Sequence, residues 1–211
     1  MSRIIQLTIL ITTTLTLMSC ASLSKDQCYA ANWSNIGFQD GSRGYLSNRV
    51  NQHIDACKEY DIAININEYM QGHKQGVRQY CNNNQGFNLG RRGSRYNGVC
   101  PSDLAKNFLA GYNEGKRVHQ LENTVREIAK EIKAIEQEKD ELDSEIADNE
   151  ATIISNNTSS VLRRELLKQN RKLEQLVKQK DREIKRVTRR MNSTRQTIRR
   201  MLAKRGIQYN Y

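Results

Sequence analysis

Asp40, His53 and Asp55 are the residues whose types and spacing come nearest to acid–base chemistry. A carboxylate and an imidazole within hydrogen-bond reach, in a pocket, form a general acid–base pair. His73 and His119 stand outside that group. His53 and Cys57 are four residues apart, so on a helix they share a face that suits a zinc ion. Oxidation of Cys57 removes that ligand. Solitary histidines are more often packed or solvated than catalytic. No G-x-S-x-G elbow, H-E-x-x-H, phosphate loop or dinucleotide fingerprint occurs. The residues therefore assign no catalytic side chain, no metal ligand and no cofactor.

Cysteine chemistry says more. Arg3 gives a positive start, Ile4–Met18 an apolar run, and Leu17-Met18-Ser19-Cys20 closes it. This is the layout of an export signal, and its end resembles the lipobox of bacterial lipoproteins. That resemblance implies a diacylglyceryl thioether on Cys20, removal of residues 1–19 and acylation of the new amino terminus. The run is diluted by Thr8, Thr12, Thr13, Thr14 and Thr16 and falls short of the roughly 20 apolar residues of a membrane span. Two or more acyl chains anchor a protein stably. Ala21, standing where an aspartate would retain such a protein at the inner membrane, favours the periplasmic face of the outer membrane.

The other four cysteines, Cys28, Cys57, Cys81 and Cys100, lie in the exported segment and predict two disulfides. Three pairings are open. Cys28–Cys57 with Cys81–Cys100 is favoured because each closes a short loop, restricting the unfolded chain by roughly 3 kcal/mol. A segment so poor in aliphatic residues needs such staples.

Composition breaks sharply near residue 116. Residues 116–205 hold no cysteine, proline or aromatic residue, whereas eleven of the twelve glycines come earlier. From Leu121 the apolar positions run Val125, Ile128, Ile132, Ile135, Leu142, Ile146 and Ile153, a heptad seam with Lys139 and Asn149 in two of its places. After the polar turn at 155–160 a second seam runs Leu162, Leu166, Gln169, Leu173, Leu176 or Val177, Lys180, Ile184, Val187, Met191, Thr194, Ile198, with one local slip. Folding about the turn pairs residues whose numbers sum to about 315, so Ile128 faces Val187 and Ile132 faces Ile184.

The net charge of +11 would suit a nucleic acid, but export argues against that partner. Residues 121–150 carry eleven acidic and four basic side chains, and residues 161–205 four acidic and seventeen basic, so opposite charges select the pairing of the helices. Arg189, Arg190, Arg195, Arg199, Arg200, Lys204 and Arg205 fall beyond the reach of the acidic helix and are the candidate contacts for an anion or a partner.

Three times an aromatic residue precedes a G-x-x-x-G pair: Trp33 with Gly37 and Gly41, Tyr69 with Gly72 and Gly76, Phe108 with Gly111 and Gly115. Glycine in a helix costs about 1 kcal/mol against alanine, so the pairs predict helices whose backbones touch. The first two of these groups, together with Asp40, Gly44, His53, Cys57, Tyr80, Cys81, Cys100 and Pro101, resemble a bacterial lipoprotein family, domain of unknown function 2799. The family implies location and architecture but no activity, and says nothing about the hairpin.

The expectation is an all-α chain: signal peptide 1–19, lipidated linker 20–27, disulfide-pinned helical domain 28–116, antiparallel coiled-coil hairpin 117–205 and tail 206–211. Its expected role is a non-enzymatic scaffold or adaptor of the cell envelope. The lipid would hold it to the membrane, and the arm would meet an envelope protein or peptidoglycan. The alternative is a small periplasmic hydrolase or metal-binding domain using His53 and Asp40.

Overall fold

A computed structural model describes residues 23–209; the expected signal peptide, Cys20 with its expected acylation, and residues 210–211 lie outside them. The expected all-α architecture is present. Among the described residues the elements are α1 (Lys25–Tyr29), α2 (Trp33–Ser42), a 3-10 turn (Ser47–Arg49), α3 (Val50–Lys58), α4 (Ile66–Tyr80), α5 (Asn83–Arg91), α6 (Ser102–Ile154) and α7 (Ser160–Ala203). None of these helices is long and apolar enough to cross a membrane. The chain divides into two compact units. One takes the described residues up to Gln85 with Tyr96–Phe108, and the other Gly86–Arg95 with the chain from Leu109 onward.

In the first unit, short polar side chains start the helices. Ser24 and Gln27 form a reciprocal capping box on α1, Asn32 accepts from the Asn35 amide at 2.9 Å, and Asn65 accepts from that of Glu68 at 3.2 Å. Helices α2 and α4 then cross on their glycines. A Cβ added to Gly41 would stand 2.8 Å from the Val77 nitrogen, and one added to Gly76 would stand 2.7 Å from that of Ser42. Each would also strike a carbonyl of the facing helix, as would a Cβ on Gly37 or Gly72. No side chain fits between these backbones. Trp33, Val50, Cys57 and Tyr69 build the core beside the crossing. Both favoured disulfides form, Cys28–Cys57 and Cys81–Cys100.

In the second unit the same device recurs between α5 and α6. A Cβ on Gly90 would lie 2.8 Å from the Lys116 nitrogen, and one on Gly115 would lie 2.8 Å from that of Arg91. Helix α5 ends on Gly93, whose φ of +74° is the left-handed conformation glycine adopts without strain. The Ser94 amide closes the end by donating to the Leu89 carbonyl at 3.2 Å. Thus Arg91-Arg92-Gly93 is a helix terminus.

Helix α6 is 53 residues long and runs straight through the compositional break near 116. The break marks a change of partner along one helix, not the end of an element. Along α6 the seam is as expected: Val125, Ile128 and Ile135 are buried, and from Lys133 to Ile153 every residue off the seam is exposed. Side chains meeting across the hairpin have numbers that sum to between 314 (Glu145 with Gln169) and 321 (Glu131 with Arg190), around the expected 315. Ile128, Val187, Ile132 and Ile184 share one apolar cluster. At the local slip Val177 turns inward, while Leu176 stays 44 % exposed. Two seam places differ from expectation, the first being Leu162, which stays exposed. Asn170 rather than Gln169 is buried, and it meets Asn149 at 2.8 Å, while Gln169 bonds Glu145 beside the seam.

Phe87, Val118, Val125, Ile198 and Leu202 close the base of the hairpin, with Ile207 and Tyr209 of the tail packed against them.

Candidate functional site

The acid–base candidates fall within the first unit. Asp40 lies on α2 between the two glycines of the crossing, and three elements send donors to it. Tyr69 of α4 donates its hydroxyl to Oδ2 at 2.9 Å, and Arg49 of the 3-10 turn donates Nε to Oδ1 at 3.1 Å. Nε2 of His53, on α3, stands 2.8 Å from Oδ2. An ionised carboxylate only accepts, so that nitrogen carries the hydrogen. The Asp40 carbonyl accepts from the Tyr45 amide at 3.1 Å, and Arg49 stacks on the Tyr45 ring at 4.0 Å. His73 donates Nε2 to the Tyr45 carbonyl at 2.8 Å.

Burial alone would raise the Asp40 carboxyl. Hydrogen bonds from His53 and Tyr69, then the positive charge of His53 and Arg49, outweigh it and hold the group below the usual carboxylate range. Tyr69 moves the other way. Its burial, the hydrogen bond it gives to Asp40 and the negative charge there all push its hydroxyl far above the ordinary phenol value.

Asp40 and His53 thus do come together, as the sequence suggested, but Asp55 does not join them and is exposed. Sequence reasoning missed Tyr69 and Arg49 as their partners. Asp40 is 4 %, His53 3 % and Tyr69 0 % exposed, so no substrate reaches the carboxylate or the imidazole. The groove along α4, lined by Met70, His73, Val77, Val99 and Pro101, does not open onto them. His119 donates Nδ1 to the Arg91 carbonyl at 3.0 Å and so serves the end of α5. Cys57 is in a disulfide, and the His53–Cys57 metal face therefore lacks its thiolate. The described residues contain no group of three potential metal ligands.

The expected cationic contacts divide. Since α6 starts at Ser102, it extends past the end of α7 that was thought unaccompanied. Arg190 pairs with Glu131, while Arg205 pairs with Glu114 and stacks on Phe87 at 4.1 Å. Arg195 is half-buried. Arg189, Arg199, Arg200 and Lys204 remain exposed.

At the far end of the hairpin apolar side chains stand in solvent. Ile154 is 80 %, Val161 73 %, Leu167 51 % and Leu162 46 % exposed. Ile154 and Leu167, with Ala147 and Ala151, line an open groove of about 790 Å³.

With this geometry in view, residues 32–117 match a family described as protein of unknown function (DUF2799). This part of the chain is a DUF2799 domain. No curated protein and no solved structure matches the chain. The DUF2799 domain starts at the cap of α2, includes both glycine crossings and the Asp40 cluster, and ends inside α6 at residue 117. The remainder of α6 and all of α7 lie outside it.

Proposed function

We propose that the chain is a lipid-anchored protein of the cell envelope, held by Cys20 to the periplasmic face of the outer membrane, with a non-enzymatic scaffold or adaptor role. The hairpin is its working part, and the partner is another envelope protein met at the hairpin's end. The observation that carries this is the set of apolar side chains at that end. Ile154, Val161 and Leu167, none of them a seam residue, project into solvent at the turn beside Leu162, the exposed first residue of the second seam. Exposed apolar groups gathered in one place mark an interaction surface. At 1.5 Å per residue the 44 residues of α7 span about 66 Å, enough to carry that surface well away from the base. Burial of Asp40 and His53 speaks against the hydrolase alternative.

The test is a photo-reactive cross-linker at position 161 in the cell, with adducts identified by mass spectrometry. A discrete adduct that disappears when Ile154 and Leu167 are both changed to Asp is the expected result. These positions are exposed, so the changes leave the fold intact. Adducts that persist through both changes would overturn the docking role. Separately, the amino-terminal peptide of the membrane fraction is expected to carry acyl chains on Cys20, and an unmodified peptide beginning at Met1 would end the envelope reading.

A further inference from the structure

In the antiparallel pair, charges that select the partner flank the seam, whereas the outermost positions of each helix face away from it. Three of the four acids of α7, Glu174, Asp181 and Glu183, take flanking places. Its cations do not. Eleven outermost positions recur at alternating steps of three and four between residues 164 and 199, and eight of them are Lys or Arg while none is acidic. Arg164, Lys168, Arg171, Lys178, Arg182 and Lys185 lead this line, and Arg189 continues it; all are exposed. None of them forms an ion pair among the described residues. Neighbours three or four apart repel one another and weaken the helix. Pairing with α6 cannot be the reason for them, because they point away from it. Solubility is not the reason either, since it is served by mixed signs. The outer face of α6 is mixed, with Arg126, Lys130 and Lys133 beside Asp140, Ser144 and Ala147.

We infer that this stripe of α7 is a docking surface for an anionic phospholipid bilayer, along which the hairpin lies flat. A straight cylinder touches a plane along one line, and here that line is cationic over 35 residues, about 52 Å. A nucleic-acid duplex winds its phosphates away from a straight line, and single strands are held by stacking on aromatic rings, which α7 lacks. The stripe carries no apolar side chain, so contact is with head groups and is sensitive to salt. The choice of a bilayer rests on the envelope reading above, whereas the stripe itself does not.

The test uses the full chain carrying Cys20→Ser, which removes the acylated sulfur, in sedimentation with phosphatidylcholine vesicles made with or without phosphatidylglycerol. Binding is expected only to the anionic vesicles. Replacing Arg171, Lys178, Arg182 and Lys185 by Gln together is expected to weaken binding on the order of a thousandfold, at about fivefold per cation. Salt near 1 M, where the screening length is about 3 Å, is expected to abolish it. Unchanged helicity and Trp33 fluorescence report an intact fold. Equal binding to both vesicles, or binding unaffected by the four changes, overturns the inference. So does release of the protein from anionic vesicles by a DNA duplex at matched phosphate concentration. If Cys20→Ser protein ignores vesicles that the acylated chain joins, the anchor stands and the stripe fails. If the Cys20→Ser protein binds and the native chain proves unacylated, the stripe stands and the anchor fails.

Discussion

Gly41→Ala is the most direct probe of the fold, because opposing effects give it a sign. In an open helix the change is favourable by about 1 kcal/mol, through helix propensity. At the α2–α4 crossing the new methyl would meet the Val77 nitrogen at 2.8 Å and strike the His73 carbonyl. These are backbone atoms of a helix and cannot swing aside as a side-chain end would. Overpacking of this kind costs about 1–3 kcal/mol, and contact with backbone places it at about 3. The first unit is therefore expected to lose about 2 kcal/mol net, the overpacking less the propensity gain. Trp33 is the sole tryptophan, is 7 % exposed and begins α2, so its fluorescence follows this unit without interference from the long hairpin. With a urea dependence of about 2 kcal/mol per M, the midpoint is expected to fall by about 1 M. Gln39→Ala, on the exposed side of the same helix, serves as control and is expected to stay within about 0.5 kcal/mol. A midpoint for Gly41→Ala equal to or above that of the unaltered chain would refute the close approach of the two backbones.

Asp40→Ala removes the acceptor for three buried or half-buried donors and is expected to destabilise the first unit by about 3–5 kcal/mol, read by the same fluorescence; a loss below about 1 kcal/mol, typical of one ordinary hydrogen bond, would show the cluster to be incidental. Because the folded Asp40 carboxyl lies below its unfolded value, its contribution is complete above about pH 4 and declines as pH drops through the folded value, so acid unfolding is expected to begin below the usual carboxylate range, and the Asp40→Asn variant to show a flatter acid limb. In the hairpin, Asn149→Leu alone leaves Oδ1 of the buried Asn170 without its donor and is expected to lower the melting temperature, whereas Asn149→Leu with Asn170→Leu is expected to raise it above that of the unaltered chain; two single effects that simply add would refute their pairing across the seam.

Much of the architecture was legible because each feature has a strong local signature. Heptad spacing fixes which face of α6 is buried, and the turn at 155–160 fixes the register, so the seam follows from Leu121 to Ile153 without tertiary information. Short loops between cysteines favour the two disulfides that form. What was not legible depends on neighbours distant in sequence. A rule requiring an aromatic before each glycine pair passes over Gly86 and Gly90, since Phe87 follows Gly86, and so the α5 side of the second crossing was missed while its α6 side, Gly115, was expected. The start of α6 was hidden because residues 102–116 resemble the glycine-bearing segments before them more than the charged helix after them. That hidden start explains the error over Arg205, whose acid is Glu114, whereas the acid of Arg190, Glu131, lies within the acidic stretch and simply reaches further along the hairpin than expected. Tyr69 carried a polar role beside its packing role, and only the geometry reveals that its hydroxyl meets Asp40.

Asp40 and His53 have the spacing of an acid–base pair, and what separates them from one is the state of their neighbours. A working general base keeps a lone pair or a proton free for substrate, near the operating pH. Here Oδ2 accepts from both Tyr69 and His53, and Oδ1 accepts from Arg49. All three bonds favour the ionised carboxylate, and the Tyr69 phenol is pushed the opposite way, further from any role as a proton source at neutral pH. The pKa values diverge in the direction that strengthens a fixed hydrogen bond, not in the direction that moves a proton. Three elements reach one carboxylate at the point where α2 and α4 press glycine to backbone. A buried charge tolerates few alternative arrangements of its donors, so the cluster selects one geometry for a crossing that apolar packing alone would leave free to slide along its glycine rows.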